Sequence, residues 1–416
     1  MPIADTLRRA MRIAPALGVT RVADLTGLDR IGIPVYTAVV PKSDDLISVY
    51  NGKGVFPMES RTGALMEAIE RQVALASRLP MTAASYRALR RGHIAVAHPG
   101  AFNHSLATEW NEDSPCLWLQ GQDLFSGEPI FVPAGLAGFG PYYTASLSPY
   151  ILNSTNGLAS GNCIEEAVCH ALCELVERDA WTFAELRGQW MPWARREAVL
   201  GAPAGPAGRD DNTASPLIDL SGAYQPIPEL VGKFHRAGLS PVVRDITGAI
   251  GICAVIATVA DDIVPGFPQC HCGLGAHPNA RIAVIRALTE LAQSRLVDIQ
   301  AVREDLVSST AVAGPENHLL QRVSKIERRR WFIQDSGPVR PFGEILSIEN
   351  EDIAADIQLI LDRFAAEGIE RAIVVDFSQH SEFSVVRVLV PGLEFWSTDH
   401  GKIGPRAVEF WRRHVS

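Results

Sequence analysis

The run Ile164–Arg187, IEEAVCHALCELVERDAWTFAELR, constrains this chain more than any other segment. It is the strongest helix pattern in the sequence and follows a polar, glycine-containing turn with Asn162 as candidate cap. At ~100° per residue, Glu166, His170, Glu174 and Glu177 fall within a stripe roughly 80° wide. The remaining positions are mostly Ala, Val, Leu and Cys, so the helix should be largely buried. Glutamates on one stripe of a buried helix repel each other, and each is expensive to desolvate without a partner. Something cationic must face them.

The same dressing recurs. Gly52–Gly54 precedes Glu67-Ala-Ile-Glu70-Arg71, Gly157–Gly161 precedes Glu174-Leu-Val-Glu177-Arg178, and Gly273–Gly275 precedes Glu290-Leu-Ala-Gln293-Ser-Arg295. Each reads as a glycine-rich turn opening a helix. The first two suggest an internal duplication and the third a weaker echo. Two chemistries satisfy such helices. One is a salt-bridge network with Arg71, Arg178, Arg286 and Arg295. The other is a Mg²⁺ site of hard oxygen ligands shared with substrate phosphates, with Arg and Lys neutralising the remaining phosphate charge. Standard nucleotide motifs do not decide between them. Gly52-Lys53-Gly54 lacks the upstream Gly and following Ser/Thr of a P-loop, and Gly273-Leu-Gly275-Ala-His-Pro278 ends in Pro where a dinucleotide fingerprint wants Gly.

The rest of the chain alternates helices and strands without a regular βαβ rhythm, which predicts an α+β fold. Helices are expected over 1–20, 63–78, 228–238, 281–302 and 352–367, and strands over 241–245, 250–260, 371–376 and 384–390. Residues 201–216, rich in Gly, Pro and Asp/Asn, read as a flexible surface loop. Of 416 residues 47% are hydrophobic and 20% charged, which excludes a disordered chain. The net charge of −9 argues against a general nucleic-acid binder. The longest apolar stretch, Ala249–Ala260, is far shorter than a membrane span. Seven cysteines, an odd number, and the absence of a secretory signal pattern point to a reducing cytoplasmic setting.

The motifs resemble the YcaO family of ATP-dependent peptide-backbone modifying enzymes. NGLASGNCIEEAVCHALCELVERDA is close to the family's central motif, NGKG with ALMEAIER resembles its first, and GLGAHPNARIAVIRALTELAQSR resembles its third. The three matches span residues 51 to 295 in the family's order, within a likeness that runs from about residue 18 to 400. The resemblance implies a YcaO-type fold of mixed β-sheets flanked by helices, with an N-terminal part over 1–45, a catalytic domain over 46–400 and a tail over 401–416. It implies Mg²⁺ ligation by Glu67, Glu70, Glu174 and Glu177, joined by Glu166 and Glu290. It implies nucleotide contacts from Lys53, Asn162, Glu166, Arg178, Arg286, Glu290 and Gln293, with Arg178 also serving the reaction. Two positions where the family often has Ser are Gly63 and Ala159 here, with Ser60 and Ser160 beside them.

LGVTRVADLTGLDRIGIPVYTAVVP and SVYNGKG look like YcaO proteins that work with a TfuA partner and are associated with backbone thioamides. The tail lacks the Pro-x-Pro-x-Pro of many azoline-forming members, which favours thioamidation over cyclodehydration of Cys, Ser or Thr. A non-catalytic scaffold that binds a peptide or partner is the competing class. The resemblance further implies a substrate peptide or protein and a homodimer. Among the other signals, Cys270-His271-Cys272 with His277 is a weak metal pattern. Cys163, Cys169 and Cys173 suit a packed core. His170 reads as a structural histidine bonded to a neighbouring Glu. Asp399-His400-Gly401-Lys402 reads as a turn or part of the site's mouth, and Trp181, Trp190 and Trp193 as packing residues.

Overall fold

A computed structural model describes residues 1–45, 47–102, 111–143, 154–191, 215–264, 267–301, 330–379, 381–396 and 403–415. Most of the 201–216 loop, Trp193 and Asp399–Lys402 lie outside the described residues. The longer helices are α1 (Ile3–Ile13), α2 (Pro57–Ala76), α3 (Ile164–Glu185), α4 (Ile227–Arg236), α5 (Ala280–Ala301), α6 (Ile353–Ala366) and α7 (Pro405–Val415). The strands are β1 (Arg21–Asp24), β2 (Val35–Val39), β3 (Val49–Lys53), β4 (Met81–Ser85), β5 (Pro115–Asp123), β6 (Pro129–Pro133) and β7 (Leu158–Gly161) in the first part of the chain. They continue as β8 (Leu217–Asp219), β9 (Val242–Asp245), β10 (Ala254–Val264), β11 (Phe267–Ala276), β12 (Val339–Pro341), β13 (Ile373–Asp376) and β14 (Ser384–Leu389).

Three sheets result, with strand orders β1-β2-β3, β11-β10-β9-β8-β12 and β4-β5-β13-β14-β7, and β6 lies beside β5. Neighbouring strands run antiparallel, with β8 and β12 a parallel pair. This is the α+β architecture the patterning predicts. Among the described residues no helix is long and apolar enough to cross a membrane.

Three strand–helix units organise the molecule: β3–α2, β7–α3 and β11–α5. Each helix packs on its own strand and also on the strand of another unit: α2 on β7, α3 on β11 and α5 on β3. The three units therefore close a ring. The third is a full member of it, not the weaker echo its sequence suggests. Each unit helix anchors its own core: Leu65 and Ile69 of α2 under the six-stranded sheet, Leu172 and Val176 of α3 against α6, and Val284 and Leu288 of α5 against the five-stranded sheet and α4.

The glycines expected to form turns lie largely on the strands. Gly52 is in β3, and a Cβ there would overlap the backbone of Ser60 and Ala64. Gly273 is in β11, and a Cβ there would overlap the backbone of Ala287 and Leu291. Glycine is required because strand and helix backbones nearly touch. That close approach draws the glutamate-bearing helices inward.

Element ends differ from the expectations in places. Helix α2 begins at Pro57 rather than residue 63. Pro57 occupies the first turn, where its missing N–H is harmless, and the Glu59 carboxylate accepts from the backbone N–H of Val55 (2.8 Å) and Phe56 (3.3 Å). Helix α1 is shorter than residues 1–20: a 3₁₀ turn, Ala14–Leu17, follows it and ends on Gly18 at φ +83°. Cys163, not Asn162, holds the N-cap position of α3.

Candidate active site

The ring of three units surrounds a cavity of ≈ 1020 Å³. Helix α2 lines it with Glu67, Glu70 and Arg71, and α3 with Glu166, His170, Glu174, Glu177 and Arg178. Helix α5 contributes Arg286, Glu290 and Gln293, while Lys53 comes from the end of β3 and Asn162 from the β7–α3 junction. Every residue that the family resemblance implied as a Mg²⁺ or nucleotide contact borders this one space.

The units are stitched together by charge. Lys53 of the first unit pairs with Glu290 of the third. Arg178 sits between Glu174 (3.5 Å) and Glu177 (3.4 Å), and Arg71 between Glu67 (3.7 Å) and Asp45 (3.3 Å). Glu174 accepts from the Gly157 N–H at 3.1 Å, so the turn before β7 fixes that carboxylate. Asn162 does not cap the helix with its side chain. Instead Glu166 accepts from both its backbone N–H (2.7 Å) and its amide (2.8 Å), while Thr6 and Arg9 of α1 donate to its Oδ1.

These pairs do not neutralise the cavity. Among the described residues its lining holds eight carboxylates (the six candidate glutamates, Glu59 and Asp298) against four cationic side chains, Lys53, Arg71, Arg178 and Arg286, and the Met1 ammonium, which faces Glu166 at 3.7 Å. Arg295, the fourth arginine of the salt-bridge alternative, turns elsewhere, to Asp29 (3.0 Å) and Asp261 (2.7 Å). The electrostatic consequence is visible in the titration of the lining. Burial pushes the Glu177 carboxyl up to about 7, opposed by Arg178 and reinforced by Glu290. Burial raises Glu70 well above the usual carboxylate range, with Glu67 and Glu174 adding repulsion. Glu67 is raised as well, chiefly by burial. For Glu290 the desolvation is outweighed by Lys53, Arg178 and Arg286, and its pKa is lowered. His170 is exposed to the cavity, and the desolvation of its place inside the ring, then Arg286 and Lys53, push its pKa down. No hydrogen bond joins it to a glutamate among the described residues, contrary to the structural role expected for it.

Buried polar atoms are left over too. Among the described residues, Nε of Arg71, Nε of Arg178 and Oδ1 of Asn51 have no hydrogen-bond partner. Orphaned guanidinium donors beside surplus carboxylates fit a ligand that carries phosphates and divalent cations together. The donor set is all oxygen on the acidic side, as Mg²⁺ requires.

A family model described as YcaO cyclodehydratase, ATP- and Mg²⁺-binding, matches residues 51–394. The chain belongs to the YcaO family. The family's cofactors, ATP and Mg²⁺, are those expected from the sequence. A YcaO structure from Methanopyrus kandleri, bound with AMPPCP and Mg²⁺, has the same fold at a TM-score of 0.71 with 23% identity, covering 97% of this chain and 94% of that one. A heterocyclase in complex with substrate and cofactor matches at a TM-score of 0.73 with 18% identity, over 95% of this chain and 52% of that one. An uncharacterised protein of Methanothermobacter thermautotrophicus is 35% identical over 401 residues, 94% of this chain and 93% of its own length. An uncharacterised protein from the tfuA 3′ region of Rhizobium leguminosarum bv. trifolii is 33% identical, over 94% of this chain and 87% of its own length.

The two positions where YcaO proteins often carry Ser resolve differently. Ser60 is fully buried and donates to the Gly52 carbonyl at 2.8 Å, so it offers the cavity nothing. Ser160 lines the cavity and donates to Met66 O at 3.3 Å, whereas Ala159 is turned into the core around α3. Gly63 borders the cavity beside Gly52. Sequence reasoning missed Asn51, Thr155, Cys272 and Asp298 as lining residues. Asn51 carried a signal, since it precedes the Gly-Lys-Gly run on a strand. Asp298 lies two turns beyond Glu290 on the same helix and carried none of the glutamate spacing.

Proposed function

We propose that this chain activates a backbone amide of a peptide or protein by ATP-dependent phosphorylation, and that the product is a thioamide made with a TfuA-type partner. The observation that carries the activation step is the surplus of carboxylates over cationic side chains in a cavity shared by three helices. A salt-bridged scaffold would balance them, and a non-catalytic binding module gains nothing from keeping Glu177 at a pKa of about 7. Support for the thioamide branch comes from the relative in the tfuA 3′ region, which shares the chain nearly end to end.

Glu67, Glu70, Glu174 and Glu177, with Glu166 and Glu290, would hold Mg²⁺ against the triphosphate. Bound there, Mg²⁺ supplies charge neutralisation for the phosphates. Arg178 and Arg286 would orient the phosphates by hydrogen bonds, and Lys53 would hold Glu290 in place between the first and third units. Asn162, fixed by Glu166, and Gln293 would position the rest of the nucleotide. In the overall reaction a nucleophile adds to the amide carbonyl, the resulting oxygen takes the terminal phosphoryl group of ATP, and phosphate leaves with that oxygen. Sulfide as nucleophile gives a thioamide and a substrate Cys, Ser or Thr gives an azoline. No enzyme nucleophile is needed.

The test is ATP consumption by the full chain with a substrate peptide, the TfuA-type partner and sulfide, read with the peptide's mass. Replacement of one oxygen by sulfur supports the proposal. Loss of one water without sulfur uptake would assign the azoline reaction instead, and unchanged peptide with no phosphate release would return the chain to a binding role.

A further inference from the structure

A second ligand set lies on another face of α3, outside the glutamate cavity. Cys169 and Cys173 stand one helical turn apart and are 7% and 1% exposed. His277, in the link between β11 and α5, points at the same spot. The Sγ atoms and an imidazole nitrogen lie within 4.8 Å of one another. Asp356 of α6 stands 3.8 Å from His277 Nε2, and its other oxygen accepts from the Asn350 amide at 2.8 Å. Three separate elements thus bring two thiols, an imidazole and an oriented carboxylate to one buried point. Buried cysteines alone are ordinary core residues. A histidine and a carboxylate converging on them are not what an apolar core selects.

We propose that Cys169, Cys173 and His277 form a binding site for a thiophilic divalent ion of the zinc type, with Asp356 as the supporting carboxylate. The donor chemistry decides the ion. Two sulfurs and an imidazole suit zinc, whereas Mg²⁺ takes oxygen and stays in the glutamate cavity. Zn–S bonds of about 2.3 Å and Zn–N bonds of about 2.0 Å require donor separations somewhat under 4 Å, so the set closes by about 1 Å or less. Zinc takes each sulfur as a thiolate. Binding therefore releases two thiol protons. Asp356, held by Asn350, faces His277 Nε2, so the ion takes Nδ1 and displaces the Asn279 N–H that this nitrogen accepts at 3.0 Å, with Asp356 as the outer carboxylate behind the metal-bound ring.

The site replaces the weak pattern noted in the sequence. Of Cys270, His271, Cys272 and His277 only the last takes part. His271 faces Asp298 at 3.2 Å, while Cys270 and Cys272 pack against the core around α3. An ion here would tie the glutamate helix α3 to the start of α5, two turns before Arg286, and so hold two walls of the cavity at a set distance. The inference does not depend on the amide-activation reading.

The untagged full-length protein, stripped with chelator and then given zinc in a large excess of Mg²⁺, is desalted and its metal content measured. One zinc per chain is expected, and about two protons released on binding. Cobalt in its place should show thiolate-to-cobalt charge-transfer absorption. That absorption should be lost in Cys169→Ser and Cys173→Ser and retained in Glu177→Gln. Asp356→Asn should weaken zinc about 10–100-fold. Circular dichroism of each variant establishes that it is folded. Folded wild-type protein that takes up no stoichiometric zinc, or a cobalt–thiolate signal that survives in the folded double variant C169S/C173S, would overturn the site.

Discussion

Glu177 and Asp179 stand two residues apart on α3, on opposite sides of the helix, and both are buried, at 3% and 1% exposure. Burial raises both, Glu177 to about 7 and Asp179 to about 6. Their surroundings differ in kind. Asp179 has Arg406 at 2.6 Å and accepts from the Glu394 N–H at 2.8 Å. Glu394 in turn accepts from the N–H groups of Gly404 and Ala407, which fastens the start of α7. Glu177 shares Arg178 with Glu174 and is further repelled by Glu290. A raised carboxylate is thus no mark of a site by itself. The mark is a shortage of partners, and α3 carries a closed structural carboxylate and an open one within a single turn.

Glu177→Gln should show the contrast most strongly. It removes one negative charge while keeping size, and ATP consumption should fall by ~10²-fold or more if Glu177 holds Mg²⁺. Without metal the variant should melt at or above the wild-type temperature, because a repelled buried charge is gone. Normal turnover with a lowered melting temperature would make Glu177 a structural residue like Asp179. The converse change, Asp179→Ala, leaves the Glu394 N–H and the Arg406 guanidinium without their acceptor and should lower stability by about 1–3 kcal/mol in urea unfolding. Its turnover per folded molecule should stay near normal.

The ring itself can be tested at Gly273. Gly273→Ala places a Cβ on the backbone of Ala287 and Leu291, and a loss of about 2–3 kcal/mol is expected. An unchanged melting curve would mean that the third unit is not locked into the ring. A pH series sharpens the comparison further. The folded pKa of Glu177, about 7, lies above the ordinary glutamate value of 4.5, so the folded state binds more protons between those values. Metal-free stability should therefore fall as pH rises through that window and level off above it. Asp179, at about 6 against 3.8, contributes only to the lower part, so the fall between pH 6 and 8 reports the cavity. Saturating Mg²⁺ should flatten it. Equal slopes with and without Mg²⁺ would count against the metal reading. The smallest effect is expected from Gly63→Ser. Its Cβ would sit 3.4 Å from Gly52 Cα, which the site can accommodate, and one added hydroxyl should lower the KM for ATP by about 2–10-fold, the worth of a single hydrogen bond.

The glutamate stripe was legible because helical periodicity maps spacing onto faces without any knowledge of neighbours. Glu166, Glu174 and Glu177 on an apolar helix announced a cavity or a cation before any contact was known, and the three motifs in order announced the family. The start of α2 was readable in principle from Pro57 and Glu59, but the weak propensity of the intervening residues hid it. The ring was not readable. Gly52 and Gly273 look like turn residues in a linear chain, and only the approach of a helix backbone gives their missing Cβ its meaning.

Local periodicity and residue chemistry thus determined which side chains share a face and which ions they could bind, since both depend on residues within a few turns of each other. Charge balance was decided at longer range. Whether Arg295 joins the glutamates or leaves for Asp29, whether Lys53 meets Glu290, and whether Cys169 and Cys173 find His277 all rest on contacts between units more than a hundred residues apart. Burial energy depends on the sum of everything within a few ångströms, and that sum exists only once the three units have closed on one another.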